Sequence, residues 1–115
     1  MKKIFSTKQH GINDYILAGT LLLAPSLLGL NKKAGRTYKL LAGNLATYNA
    51  LTDYEAGIKP ALSIETHRNV DVANLATLYM LPLYKSIRKD KRTLTFHLAV
   101  TAIATLNVLL TDWDN

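Results

Sequence analysis

HGINDYILAGTLLLAP (residues 10–25) and HRNVDVANLATLYMLP (residues 67–82) set the architecture of this chain. His10, Asp14 and Pro25 return as His67, Asp71 and Pro82, each 57 positions later. The residues downstream of each segment return as well. Thr37-Tyr38 is answered by Thr95-Phe96, and Leu45-Ala46-Thr47-Tyr48-Asn49 by Ile103-Ala104-Thr105-Leu106-Asn107, both 58 positions on. Thr52-Asp53-Tyr54 is answered by Thr111-Asp112-Trp113 at 59. A common order with a drift of two single-residue insertions is the mark of a duplicated unit, and such repeats set an architecture.

Within each unit the apolar runs lack the period of two that strands show, so they are read as helices. The expected helices cover about 11–30, 36–54, 68–86 and 93–113. Residues 31–35 punctuate the first hairpin, and 57–63, with Pro60, separate the units. Pro25 and Pro82 fall late in the first and third helices, where a missing backbone donor kinks a helix or ends it. The chain of 115 residues is thus one all-α domain, with repeat 1 over about 10–57 and repeat 2 over about 67–115. Two helices per unit make the halves parallel repeats, related by a pseudo-two-fold axis along the normal if they sit in a membrane.

Composition points the same way. Charge is confined to short blocks, although the mean hydropathy is only +0.06. Uncharged runs cover residues 15–30, 40–52, 72–84 and 93–111. The first and last, with their flanks, approach the roughly 20 residues that cross a bilayer core. The middle pair carries Asn44, Asn49 and Asn74, which must then face other helices. The expected fold is a four-helix transmembrane bundle of two tandem hairpins; a soluble bundle with an unusually apolar first helix is the competing reading. Met1-Lys2-Lys3 looks like the start of a secretory leader, but no small-x-small cleavage site comes after the apolar run. A leader would not be duplicated together with its partner helix.

The net charge of +6 is unevenly spread. Lys32, Lys33, Arg36 and Lys39 flank the first hairpin turn, and Lys85, Arg88, Lys89, Lys91 and Arg92 the second, opposed only by Asp90. The positive-inside rule puts both turns in the cytoplasm and both termini outside the cell membrane. Tyr15, Tyr54 and Trp113 fall at the outer level and Tyr38, Tyr84 and Phe96 at the inner one, as interfacial aromatics do. The basic blocks suit anionic lipid headgroups. They are not a stripe with interleaved aromatics, so nucleic acid is not the expected partner. A homo-oligomer is open.

One constellation could carry chemistry. His10 with Asp14, and His67 with Asp71, lie one helical turn apart on one face. Asp53 and Asp112 end the second and fourth helices at the same level, where the helix dipole disfavours negative charge. The candidate site is therefore His10, Asp14, Asp53, His67, Asp71 and Asp112, at one end of the bundle. The first reading is a polar network tying the hairpins together in a structural or interaction protein. The alternative is a cation-binding membrane protein, catalytic or not, holding a divalent metal or haem; a proton or ion pathway is the third. His10 is expected to stand to Asp53 as His67 does to Asp112, unless the extra residue of the fourth helix rotates Asp112 by roughly 100°. A π-bulge would absorb that residue. His97 answers Lys39 in the repeat and reads as an interface cation outside the site; Asn49 and Asn107 are expected to bond between helices. No cysteine is present, and no G-x-x-x-x-G-K, G-x-S-x-G or H-E-x-x-H, so thiol, phosphate-loop, serine-hydrolase and zincin chemistry have no support.

His10-Gly11, Asp14-Tyr15, Gly19, Pro25, Gly29, Thr52-Asp53-Tyr54-Glu55 and Gly57, with His67, Asp71 and Pro82, resemble the unit of the SPW-repeat proteins, small bacterial membrane proteins of one or two two-helix units. Of the tripeptide that names them only the proline stands here, in Ala24-Pro25-Ser26 and Leu81-Pro82-Leu83. The resemblance implies a membrane location and four helices, and brings no activity with it.

Overall fold

Serine and asparagine side chains set where the helices begin. Ser6 accepts from the Gln9 amide at 3.1 Å and opens α1 (Thr7–Leu27). Asn31 accepts from Lys33 and Ala34 and opens α2 (Lys32–Ala50). Ser63 accepts from the Thr66 amide at 3.0 Å and opens α3 (Ile64–Met80). Each satisfies amides that the first turn leaves without partners. In this computed structural model, which describes residues 2–114, a 3-10 turn (Leu81–Leu83), a one-turn helix α4 (Lys85–Arg88) and α5 (Lys91–Leu109) complete an all-helical chain. Four of the helices are long; the only extended pairings among the described residues are two isolated bridges.

The boundaries differ from the sequence expectation in ways that matter. The caps lie earlier than the apolar runs suggest, so His10 and His67 sit inside the first turns of α1 and α3. The third helix stops at Met80 rather than near 86, and the fifth ends at Leu109 rather than near 113. The two prolines act differently. Pro25 stays inside α1, which closes at Gly29, φ 64°, where the Leu30 amide donates to the Pro25 carbonyl at 3.0 Å. That left-handed position suits glycine. Pro82 instead sits in the 3-10 turn. Having no N–H, it cannot serve the Leu78 carbonyl four residues back. The His97 ring does so in its place, its Nε2 donating to that oxygen at 2.6 Å.

α1 packs along α2 and against α5, and α3 packs along α5. Leu21, Ala34, Tyr38, Ala42, Leu78, Ile87, Val100 and Ala104 form the main apolar core. Ala18, Leu45 and Tyr48 form a second apolar cluster. Much of the remaining interior is polar: His10, Asp14, Asn49, Thr52, His67, Asp71, Thr93, His97, Thr101, Asn107 and Thr111 are all buried. Tyr38, expected at a membrane interface, is fully buried, and so is His97, expected as an interface cation. The Tyr38 hydroxyl donates to His97 Nδ1 at 2.7 Å, so the two fill each other's needs. At the same end Thr93 donates to Asp90 at 2.6 Å and accepts from the Asn31 amide at 3.0 Å, joining the hairpin turns. The Thr93 hydroxyl is the main cause that holds the Asp90 carboxyl below its ordinary range.

Of the four expected spans, one described helix, α5, is long and apolar enough to cross a membrane by length and composition. α2 begins with four basic residues in its first eight positions, which lowers it below that mark; α3, with 17 residues, is short as well as charged at Glu65, Arg68 and Asp71.

Candidate metal centre

Four residues of the two H-x-x-x-D segments meet at one point. His10 Nε2 lies 3.2 Å from Asp14 Oδ2 and 2.8 Å from Asp71 Oδ2. His67 Nε2 lies 3.0 Å from Asp14 Oδ2 and 3.2 Å from Asp71 Oδ2. The four atoms form a closed ring in which nitrogen and oxygen alternate. The histidines are fully buried and the aspartates nearly so. All four ligand atoms lie within 4.8 Å of one another. Imidazole nitrogen and carboxylate oxygen are ligand types for first-row divalent metals, at bond lengths of about 2.0–2.2 Å.

The surroundings fix each donor. Thr111 Oγ1 gives its proton to the Asn107 carbonyl, so toward His10 Nδ1, at 2.8 Å, it can only accept. Thr52 Oγ1 gives its proton to the Tyr48 carbonyl at 2.6 Å and accepts from His67 Nδ1 at 2.8 Å. Both Nδ1 atoms therefore carry hydrogen, and both Nε2 atoms are turned to the ring. The outer carboxylate oxygens are held too. Tyr48 donates to Asp71 Oδ1 at 2.5 Å, and Asn107 Nδ2 to Asp14 Oδ1 at 3.0 Å. Outer groups of this kind orient metal ligands and set which nitrogen is free.

Each histidine is bound by the other half of the chain: His10 meets Asp71 and Thr111, and His67 meets Asp14 and Thr52. The halves are not identical. Thr52 and Thr111 both stand two residues beyond the last helical residue, but Asn49 lies three before its threonine and Asn107 four before. Neither α2 nor α5 contains a π-bulge to absorb the difference. Asn107 thus reaches Asp14, whereas Asn49 turns to the Gly11 carbonyl at 2.9 Å and Tyr48 serves the other aspartate.

Asp53 and Asp112 are outside the ring. Asp53 is exposed; Asp112 is half-buried and accepts from the Asp114 amide at 3.1 Å. Thr52 pairs with Leu62 and Thr111 with Phe5 in short extended bridges. Successive side chains of an extended segment point opposite ways. The threonine turns in and the following aspartate turns out. The threonines are legible in the repeat as Thr52-Asp53 and Thr111-Asp112, but the acid is the more conspicuous ligand type.

Aromatic rings cover the histidines. Trp113 lies 4.5 Å from the His10 ring and 6.2 Å from His67, and Tyr54 lies 5.4 Å from His67. Tyr54 donates to Asn49 and rests on Gly11, where an added Cβ would collide with its hydroxyl and with the Ala56 methyl. At the matching position Arg68 lies over the Trp113 ring, 5.7 Å from its centre. Burial, and then the charges of Asp14, Tyr15 and Asp71, push the Tyr54 phenol well above its ordinary range. It stays a donor.

Haem does not fit here. A macrocycle between the two imidazoles would occupy the space that the aspartate oxygens fill. Comparison with protein-family models, with curated proteins and with solved structures gives no match, so what this site does must be read from its own geometry.

Proposed function

We propose that this chain binds a divalent first-row transition metal through His10 Nε2, His67 Nε2 and one oxygen each of Asp14 and Asp71. The convergence of these four atoms carries the reading. Each Nε2 donates to one carboxylate oxygen of the other half, at 2.8 and 3.0 Å, and stands 3.2 Å from the oxygen one turn along its own helix, so four atoms of metal-ligand type are gathered within 4.8 Å of one another in a buried place. Two carboxylates with a divalent ion and two neutral imidazoles also make a neutral unit, which a buried position favours. The test is metal titration of the purified chain, stripped with a chelator, with Mn, Fe, Co, Ni, Cu and Zn in turn. One ion per chain is expected, and Asp14→Asn with Asp71→Asn should remove it. No stoichiometric binding of any of the six overturns the proposal, and the ring is then a structural network.

The second part of the reading is a membrane location, with the four long helices as a transmembrane bundle of two hairpins. The distribution of side chains supports it. Leu27, Leu40, Ile16 and Met80 are 83%, 77%, 64% and 62% exposed, while three histidines, two aspartates, two asparagines and four threonines are buried beside the apolar core. Large apolar side chains are exposed on all four long helices, and extended apolar surface marks membrane or partner contacts. At 1.5 Å per residue the helices are about 26–32 Å long, close to the hydrocarbon thickness. By the positive-inside rule the two basic turns would meet anionic headgroups on the cytoplasmic side; the resemblance to SPW-repeat proteins adds only the membrane location. Recovery of the protein in the soluble fraction without detergent sinks this part. Because the chain lacks cysteine, single variants report the sidedness: an impermeant maleimide should label Ser6→Cys in intact cells and spare Ser86→Cys.

A further inference from the structure

Resting on that metal reading, we infer that the bound metal takes a small neutral ligand of the dioxygen class from a cavity inside the helices. Three observations lead there. The first is the chemistry of the ring. Two imidazole nitrogens and two carboxylate oxygens, gathered within 4.8 Å, are ligand types that suit first-row metals such as iron and manganese.

The second is the donor count. The outer oxygens of Asp14 and Asp71 are engaged by Asn107 and Tyr48, so each aspartate offers one atom. A metal that prefers five or six ligands therefore needs one from elsewhere.

The third is what borders the ring. Toward the chain ends the histidines are covered by Trp113 and Tyr54. On the other side lies a cavity of about 40 Å³, whose wall includes Asp14, Asp71 and Tyr48 and is otherwise mostly leucine. It runs from the ring into the helices, along Leu17 and Leu21 of α1 and Val108 and Ala104 of α5. At roughly 10–15 Å³ per water-sized occupant, it admits about three heavy atoms. No lysine or arginine lines it, and the metal-loaded ring is neutral, so neither an anion nor a long substrate is favoured.

The experiment uses Fe(II) and nitric oxide, a diatomic probe whose ferrous complex has a distinctive EPR signal. The full chain is loaded anaerobically with Fe(II) and titrated with nitric oxide. One nitrosyl per iron is expected. Val108→Phe and Ala104→Leu fill the cavity from α5 without touching a ligand. Each should retain one iron per chain and weaken nitric oxide binding by about tenfold or more. Iron without a nitrosyl signal, or affinities in both variants within about twofold of the parent, overturns the inference and leaves the metal reading standing. Failure to bind iron or any other metal ends both.

Discussion

Two histidine environments in one interior show how neighbours decide what an imidazole does. His97 is as buried as His10 and His67, yet its Nε2 meets a backbone carbonyl and its Nδ1 a phenol. Nε2 repairs the helix that Pro82 interrupts, and Nδ1 is taken by Tyr38 of α2. His10 and His67 spend only Nδ1 on their surroundings, on threonines already committed as acceptors, and turn Nε2 toward each other and two carboxylates. Burial is common to all three. The difference is whether one nitrogen is left facing a shared centre.

Removing one ring of each kind tests this contrast most severely. His10→Ala should abolish stoichiometric metal binding, read by metal analysis after gel filtration. His97→Ala should leave the metal content unchanged and lower unfolding free energy by about 2–4 kcal/mol, through a cavity and two buried groups without partners. Loss of metal in the His97 variant would show that the two environments are one system.

Acid should act next in size. A metal on Nε2 competes with a proton there. Affinity should therefore fall as pH falls, by up to about a hundredfold per unit where two protons are exchanged per ion. Affinity measured from pH 8 down to pH 5 checks the sign; a flat profile would mean that Nε2 is not the ligand atom.

The threonines test the outer support. Thr52→Val and Thr111→Val keep shape but remove the acceptor for Nδ1. Each should weaken metal binding by about 10–100-fold while the ion count at saturation stays at one. An unchanged dissociation constant in both would reduce the threonines to filling.

The smallest effect belongs to the acids that face outward. Asp53→Asn with Asp112→Asn should change metal affinity by less than about threefold, as expected of distant charges screened by water. A larger loss would return them to the site from which the extended bridges now turn them away.

The pairs themselves can be read from the chain. Histidine and aspartate four residues apart, written twice, stand one turn apart on a helix because the turn holds 3.6 residues. Nothing local tells which side chain closes the site at the far helix ends. Thr52 and Asp53 are neighbours, as are Thr111 and Asp112, and the choice between them is made by pairing with Leu62 and Phe5, neither of them a neighbour in sequence. The same holds for His97. Its place in the repeat suggests a surface cation; Leu78, nineteen residues earlier, gives it a carbonyl to serve.

Read without its fold, the chain yields local facts: where charge interrupts apolar runs, where serine and asparagine start turns, and which residues share a helix face. Those arise from interactions over three or four residues. Packing alone brings His10 to Asp71 and Thr111, and His67 to Asp14 and Thr52. Those contacts span from 15 to 101 residues. No local spacing encodes them, because they exist only once the helices have packed and their polar faces have found one another inside.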